Sequence, residues 1–331
     1  MDNYENHLRS LASIKKCDNY GMYQMTYYRD YKFDDFLKYG AKDQDELESV
    51  IEKLIFEDIP DIEAKINMLG GGCTVFSTRN PSGEVIYGRN YDFGIYSPPL
   101  QLTTCPSNGY ASISTVSMLY LGYDANNLPS GLNANSLMTL IAPYIPADGV
   151  NEKGVAIALL SVADAKPPFC KNKITINPTT AIRLVLDKAA NVDEAVELLK
   201  QYNIFFSLGI YCHFLIADAS GRSVIVEYWD NDLKLVETPI ASNFIAYNDL
   251  MIAQGNAIER HDKVKETFEN NNNTLSQEQT IDLLMEVGAR STEVGLGLQW
   301  SVIYNLSTLE GTIFANGNTN NLVKFSLTNN I

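Results

Sequence analysis

Three successive glycines, Gly70-Gly71-Gly72, run straight into Cys73-Thr74-Val75-Phe76-Ser77-Thr78-Arg79, a segment that alternates as a β-strand does. Asn80-Pro81-Ser82-Gly83 is a strong turn signal and Glu84 to Tyr91 is a second extended run, so this stretch reads as a hairpin. With a turn over residues 80–83, residue 79 faces 84, and Cys73 lies opposite Asn90 with Arg89 and Tyr91 beside it. Alternation puts Cys73, Val75 and Ser77 on one face and Thr74, Phe76 and Thr78 on the other. Arg89 and Asp92 thus return to the open end of the hairpin, close to the thiol. A cation there lowers a thiol pKa, and an aspartate can hold an amine.

If the Gly72–Cys73 bond were cut, one residue would carry both a sulfur nucleophile and a free α-amine. Their ordinary pKa values are about 8.5 for the thiol and about 7.7–8.0 for the amine, so proton transfer between them is nearly balanced. Such an amine serves as general base without histidine. His7, His213 and His261 are the only histidines, and none lies in a GxSxG or HExxH context. The competing reading is a small buried cysteine after a loop of glycines.

Bulk properties narrow the remaining classes. A chain of 331 residues, 45% hydrophobic and 20% charged, is long enough for a substantial core. A net charge of −15 argues against nucleic acid and anionic membrane surfaces, and reads as solubility. Five cysteines, without CxxC spacing, predict neither a disulfide framework nor a zinc site. No basic-then-apolar leader opens the chain, and no run nears the ~20 apolar residues of a membrane span. The sequons Asn272-Asn273-Thr274 and Asn305-Leu306-Ser307 then read as chance, and a cytoplasmic protein is expected.

Residues 1–72 form a lead-in distinct from residues 73–331. Met22 to Phe33 is tyrosine-rich and reads as extended, while Leu47, Val50, Ile51, Leu54 and Ile55 follow helical spacing and Pro60 ends that helix. Beyond Cys73, Val155–Ser161 reads as a buried strand and Thr179–Ala190 as a helix. A second helix opens at Asn191 with Glu194 as a capping box. His213–Asp218 and Ser223–Trp229 form another hairpin, and Ala257–Phe268 and Ser276–Val287 are helical. The strands Gln299–Leu306, Gly311–Ala315 and Leu322–Leu327 follow. This order predicts an α+β layered fold with mostly antiparallel sheets.

Cys73-Thr74, the turn and Gly88-Arg89-Asn90-Tyr91-Asp92-Phe93 resemble the N-terminal-nucleophile (Ntn) linear amide C–N hydrolases. That superfamily includes choloylglycine hydrolases, penicillin V acylases, acid ceramidase and the N-acylethanolamine acid amidases. The resemblance continues through Asp148-Gly149-Val150-Asn151-Glu152-Lys153-Gly154-Val155, Thr179-Thr180-Ala181-Ile182-Arg183, His213-Phe214-Leu215-Ile216-Ala217-Asp218 and Gln299-Trp300-Ser301-Val302-Ile303-Tyr304. It implies an αββα sandwich and no metal or organic cofactor. Cys73 would be nucleophile and, through its amine, base; Arg89 would stabilise the thiolate and Asp92 would hold the α-amine. Asn151 would donate one oxyanion hydrogen bond, with Asn243 the other side-chain candidate, and Arg260 would match a further arginine of the family. Read on their own, Asn151 also suits a hairpin turn and Arg260 a solvated helix face.

In choloylglycine hydrolases and penicillin V acylases the cysteine stands almost at the start of the chain, whereas 72 residues precede it here. The acid-ceramidase-like and acyl-CoA:penicillin acyltransferase-like branches share that arrangement and are made as precursors. The resemblance therefore implies self-cleavage at Gly72–Cys73, with residues 1–72 a propeptide or a retained subunit. It implies a small amide substrate, and Ser117-Met118-Leu119-Tyr120-Leu121 suits an apolar acyl group or an ordinary core equally. Bile salt hydrolysis, penicillin acylase activity, acyl transfer, a non-catalytic binding role and a homo-oligomeric assembly all stay open at this level.

Overall fold

The computed structural model describes residues 3–57, 59, 64–66, 71–207, 210–289 and 297–328; Pro60 and Gly70 lie outside them. The strand Gly72–Arg79 pairs antiparallel with Val85–Phe93 near the middle of a six-stranded sheet. Its strand order is Ile240–Ser242, Gly72–Arg79, Val85–Phe93, Gly297–Asn305, Glu310–Ala315, Val323–Ser326.

The hairpin register differs by one residue from the expected pairing. Asn80 N donates to Glu84 O at 2.9 Å and Gly83, at φ +84°, turns the chain, so Glu84 belongs to the turn. Arg79 then pairs with Val85, and Cys73 with Tyr91 instead of Asn90. Side chains alternate with period two, so this single step exchanges the faces of the whole returning strand. Arg89 and Tyr91 come onto the face of Cys73, while Asn90 and Asp92 turn to the other.

The two faces meet different layers. Cys73, Val75, Tyr87 and Tyr91 belong to the main core, shared with Ala158, Leu159 and Phe214 of a second, nine-stranded sheet. Phe76 and Ile86 belong to a smaller core with Val264, Phe268, Leu283 and Leu284, and the Phe76 and Phe268 rings meet edge-on at 5.7 Å. These last four lie on helices Ala257–Asn270 and Gln277–Val287, which cover the outer face. Helices Pro178–Lys188 and Val192–Leu199 cover the nine-stranded sheet from its far side. The result is the expected α+β architecture, layered helix, sheet, sheet, helix. Each fully buried aliphatic or aromatic side chain contributes about 1.5–3 kcal/mol.

Local sequence signals account for the helix starts. Asn177 with Thr180 and Ser276 with Gln279 form reciprocal caps, and the Asn191 side chain accepts from Glu194 N. Glu194 reaches Ala190 N rather than Asn191 N, so the expected box is open on one side. The lead-in contributes its helix, Gln44–Ile55 capped by Asp43, with Leu47, Ile51 and Ile55 buried. It also contributes strands: Lys15–Lys16 and Tyr23–Tyr27 begin the nine-stranded sheet, the second pairing parallel with Pro99–Thr104. The sheet continues through Ser112–Ser117, Asp148–Asn151, Ala156–Ser161, Cys212–Ala217, Ser223–Trp229 and Asp232–Glu237, all antiparallel.

Candidate active site

Cys73 is 1% exposed and its thiol points between the sheets. Burial pushes the thiol pKa up, and the Arg89 guanidinium, 3.6 Å away through Nη2, only partly offsets that. The thiol is therefore the resting form in the uncut chain. Arg89 is itself fully buried: Nη1 meets Asp148, and Nη2 donates to Leu159 O at 3.2 Å. Its guanidinium lies over Tyr91 and Trp300, whose rings stack at 3.9 Å. Burial is the largest influence and disfavours the Arg89 charge, but Asp148, Cys73 and Tyr91 together outweigh it and hold the guanidinium protonated.

Asp148 thereby emerges as a site residue that the sequence reading passed over, although it opens the Asp148-Gly149-Val150-Asn151 block. It also accepts from Tyr304 Oη at 2.6 Å and Trp300 Nε1 at 3.4 Å. Asp148→Asn removes the counter-charge of a dry guanidinium. The expected loss is about 3–5 kcal/mol of stability, read as a fall in the urea midpoint.

On the backbone side, the amide of Cys73 donates to Asn243 Oδ1 at 2.6 Å. Asn243 follows the edge strand Ile240–Ser242, which brings it beside the start of the Cys73 strand. Its Nδ2 donates to Ser161 O at 2.8 Å and to Gly71 O at 3.4 Å. Arg260, on the helix Ala257–Asn270, donates through Nη1 to Cys73 O at 2.6 Å and through Nη2 to Asn243 Oδ1 at 2.7 Å. Ser161 also donates its hydroxyl to Gly71 O. Only its place at the end of a buried apolar run hinted at it in the sequence. A cavity of about 480 Å³ opens here, lined by Gly71, Gly72, Ser161, Tyr211, Asn243 and Arg260 among others.

Asp92 lies on the opposite face of its strand from Arg89, beside Gly72. Its Oδ1 accepts from Ala289 N at 3.0 Å, whereas Oδ2 is buried with no hydrogen-bond donor among the described residues and lies 3.7 Å from Arg260 Nη1. Burial raises its pKa from 3.8 to about 6. A carboxyl raised in this way contributes stability that is complete below pH 3.8 and lost as pH rises through about 6. Asp92→Asn in an uncut chain should remove that loss. The variant is expected to be more stable than its parent at pH 7 by about 2–3 kcal/mol, and indistinguishable from it near pH 3.5.

Five of the six expected residues thus converge on one peptide bond: Cys73, Arg89, Asp92, Asn243 and Arg260. Asn151 does not join them. Its Nδ2 donates to Leu186 O and Ala189 O at 3.0 and 2.7 Å, and its Oδ1 accepts from Lys153 N and Val155 N. Every polar atom of the side chain is spent on the turn at Gly154 and the end of the neighbouring helix. It also stands at the other end of the Ala156–Ser161 strand from Ser161, about 20 Å away. The oxyanion role expected for it is corrected to the turn role. Of the apolar stretch near residue 120, Tyr120 places its hydroxyl 2.6 Å from that of Tyr91, inside the common core. No helix of the described residues is long and apolar enough to cross a membrane.

Comparison with known proteins bears on the family and the fold. A penicillin V acylase of Pectobacterium atrosepticum is 35% identical over 94 residues, which span 25% of this chain and 25% of that protein. Two solved structures share the fold. A variant of the conjugated bile acid hydrolase from Clostridium perfringens superposes with a TM-score of 0.55 at 16% identity, over 78% of this chain and 93% of that one. The penicillin V acylase from Agrobacterium tumefaciens gives 0.54 at 17% identity, over 77% and 86%. The family described as linear amide C–N hydrolases, choloylglycine hydrolase family, matches residues 73–248, more than half of the chain. The chain belongs to the choloylglycine hydrolase family of linear amide C–N hydrolases.

Proposed function

We propose that this protein hydrolyses the C–N bond of a small linear carboxamide through an acyl-thioester on Cys73, after cutting its own chain at Gly72–Cys73. The observation that carries the reading is the convergence on that one bond of a thiol paired with Arg89 and an amide nitrogen held by Asn243 at 2.6 Å. In maturation, Cys73 sulfur attacks the Gly72 carbonyl carbon and the C–N bond breaks. The Cys73 nitrogen takes up a proton as the new α-amine, and water hydrolyses the thioester to a Gly72 carboxylate. The buried Oδ2 of Asp92, which has no donor among the described residues, suits the ammonium this creates.

In turnover, the α-amine accepts the thiol proton as sulfur adds to the substrate carbonyl, then delivers it to the departing amine. Water attacks the thioester and releases the acid. Asn243 Nδ2 and the Ser161 hydroxyl both serve the Gly71 carbonyl in the uncut chain, and departure of that carbonyl would free two donors for a substrate oxyanion. Arg260 would keep Asn243 aligned. Val162 and Ile210 beside the cavity favour an apolar portion of substrate next to the amide.

The test combines intact mass with a panel of bile-acid conjugates, N-acyl amino acids, fatty acyl amides and penicillin V. Purified active protein should appear as two fragments separated at Gly72–Cys73. A full-length chain in fully active material would refute self-cleavage. Products in which an added amine, rather than water, captures the acyl group would redirect the reading to acyl transfer.

A further inference from the structure

A buried histidine–glutamate pair bridges the two sheets one step away from this machinery. His213, on Cys212–Ala217, and Glu227, on the adjacent strand Ser223–Trp229, are 1% and 0% exposed. His213 Nδ1 lies 2.8 Å from Glu227 Oε1, and Nε2 lies 3.0 Å from the carbonyl oxygen of Ser242. Both ring nitrogens are thus engaged by oxygen partners.

Glu227 reaches onward. Its Oε1 accepts from Ala246 N at 2.9 Å and its Oε2 from Tyr247 N at 3.0 Å. The pair thus grips the chain at Ser242 and again at Ala246–Tyr247, on both sides of Asn243. Between those grips, Asn243 extends to the Cys73 amide, and the Ser242 hydroxyl donates to Cys73 O at 3.3 Å. Burying polar groups costs desolvation, and a packed apolar pair commonly stabilises a core as well or better. What such a pair would not reproduce is the directional hold on three backbone groups of one short segment.

We infer that His213 and Glu227 are positioning residues, which clamp the backbone on either side of Asn243 and so fix its side chain against the amide of Cys73. The kinetic consequence rests on the function proposed above; the geometric one does not. A displacement of about 1 Å in a group aligned on a reacting bond costs up to about 100-fold in rate.

The experiment therefore has two arms. In an uncut Cys73→Ala background, amide hydrogen exchange is followed by NMR with and without His213→Leu. Exchange at residue 73 should quicken about tenfold, while the amides of Arg89 and Val302, on strands away from the clamp, keep their rates. His213→Gln, which restores one donor, should fall between, and it carries the same comparison if the leucine variant does not fold. In the otherwise native chain, self-cleavage and kcat should drop about 10–100-fold with KM changed less than about threefold. Unchanged exchange at residue 73 overturns the inference whatever the activity. Equal loosening at Arg89 and Val302 also overturns it, because the role would then be general packing. Selective loosening at residue 73, in a protein whose native form neither cuts itself nor turns over any amide, upholds the clamp and sinks the proposed reaction instead.

Discussion

Replacing Cys73 by alanine is expected to leave the chain in one piece and to lower amide turnover by about 10⁴-fold or more. Among the described residues, the sulfur is the only group at the site that can attack a carbonyl and also leave a residue with its own amine. Arg89 is bound to Asp148 and Leu159, Asn243 presents amide groups, and Asp92 lies across the strand from the thiol. None of these substitutes for it. The substitution removes one atom from a packed interior, so folding should change by no more than about 1–2 kcal/mol. Mass spectrometry and a thermal melt on the same sample separate the two effects. Turnover that survives the substitution would end the thioester mechanism. An uncut chain with a wild-type melting curve and no turnover is the expected result.

The second large effect concerns residues 1–72. After cleavage the two fragments are expected to separate under denaturing conditions but to travel as one particle in native mass spectrometry. The physical reason is the depth of their contact. Tyr23–Tyr27 is hydrogen-bonded along Pro99–Thr104, and Phe33 and Phe36 pack on Tyr144 at 5.9 and 5.5 Å. The Tyr31 hydroxyl lies within 2.9 Å of both carboxylate oxygens of Asp187, which also pairs with Arg183. Tyr27, Tyr31, Phe33, Phe36, Leu47, Ile51 and Ile55 are all buried, and each such side chain is worth about 1.5–3 kcal/mol to the folded whole. A chain begun at Cys73 should accordingly be insoluble, or should recover its fold only when residues 1–72 are supplied alongside. Loss of the lead-in from active, folded protein would show that it is a discarded propeptide.

The elements themselves were largely legible because their signals are local. Alternation, the Asn80–Gly83 turn, the cap at Asn191 and the helical stripe at Leu47, Ile51 and Ile55 each lie within a few residues of what they specify. Ala134–Tyr144 went unread because it is a 3₁₀ helix, whose three-residue turn leaves no 3.6-residue stripe. The strands Pro99–Thr104 and Ser112–Ser117 went unread because polar Gln, Thr and Ser side chains are buried there against Arg183 and its neighbours.

The sequence alone determined that a thiol, an arginine and an aspartate return to one end of a hairpin, since turn chemistry and strand period act over short distances. It did not determine which face each occupies: a fifth residue in the turn shifts the register by one and brings Arg89, not Asn90, to the sulfur. Tertiary structure alone decided that Asn243 and Arg260, 170 and 187 residues beyond Cys73, close on its backbone while Asn151 is consumed by its own turn. Those contacts arise between sheet edges and helices that meet only when the layers pack. No spacing along the chain encodes them, because burial of the two cores, rather than any local preference, brings them together.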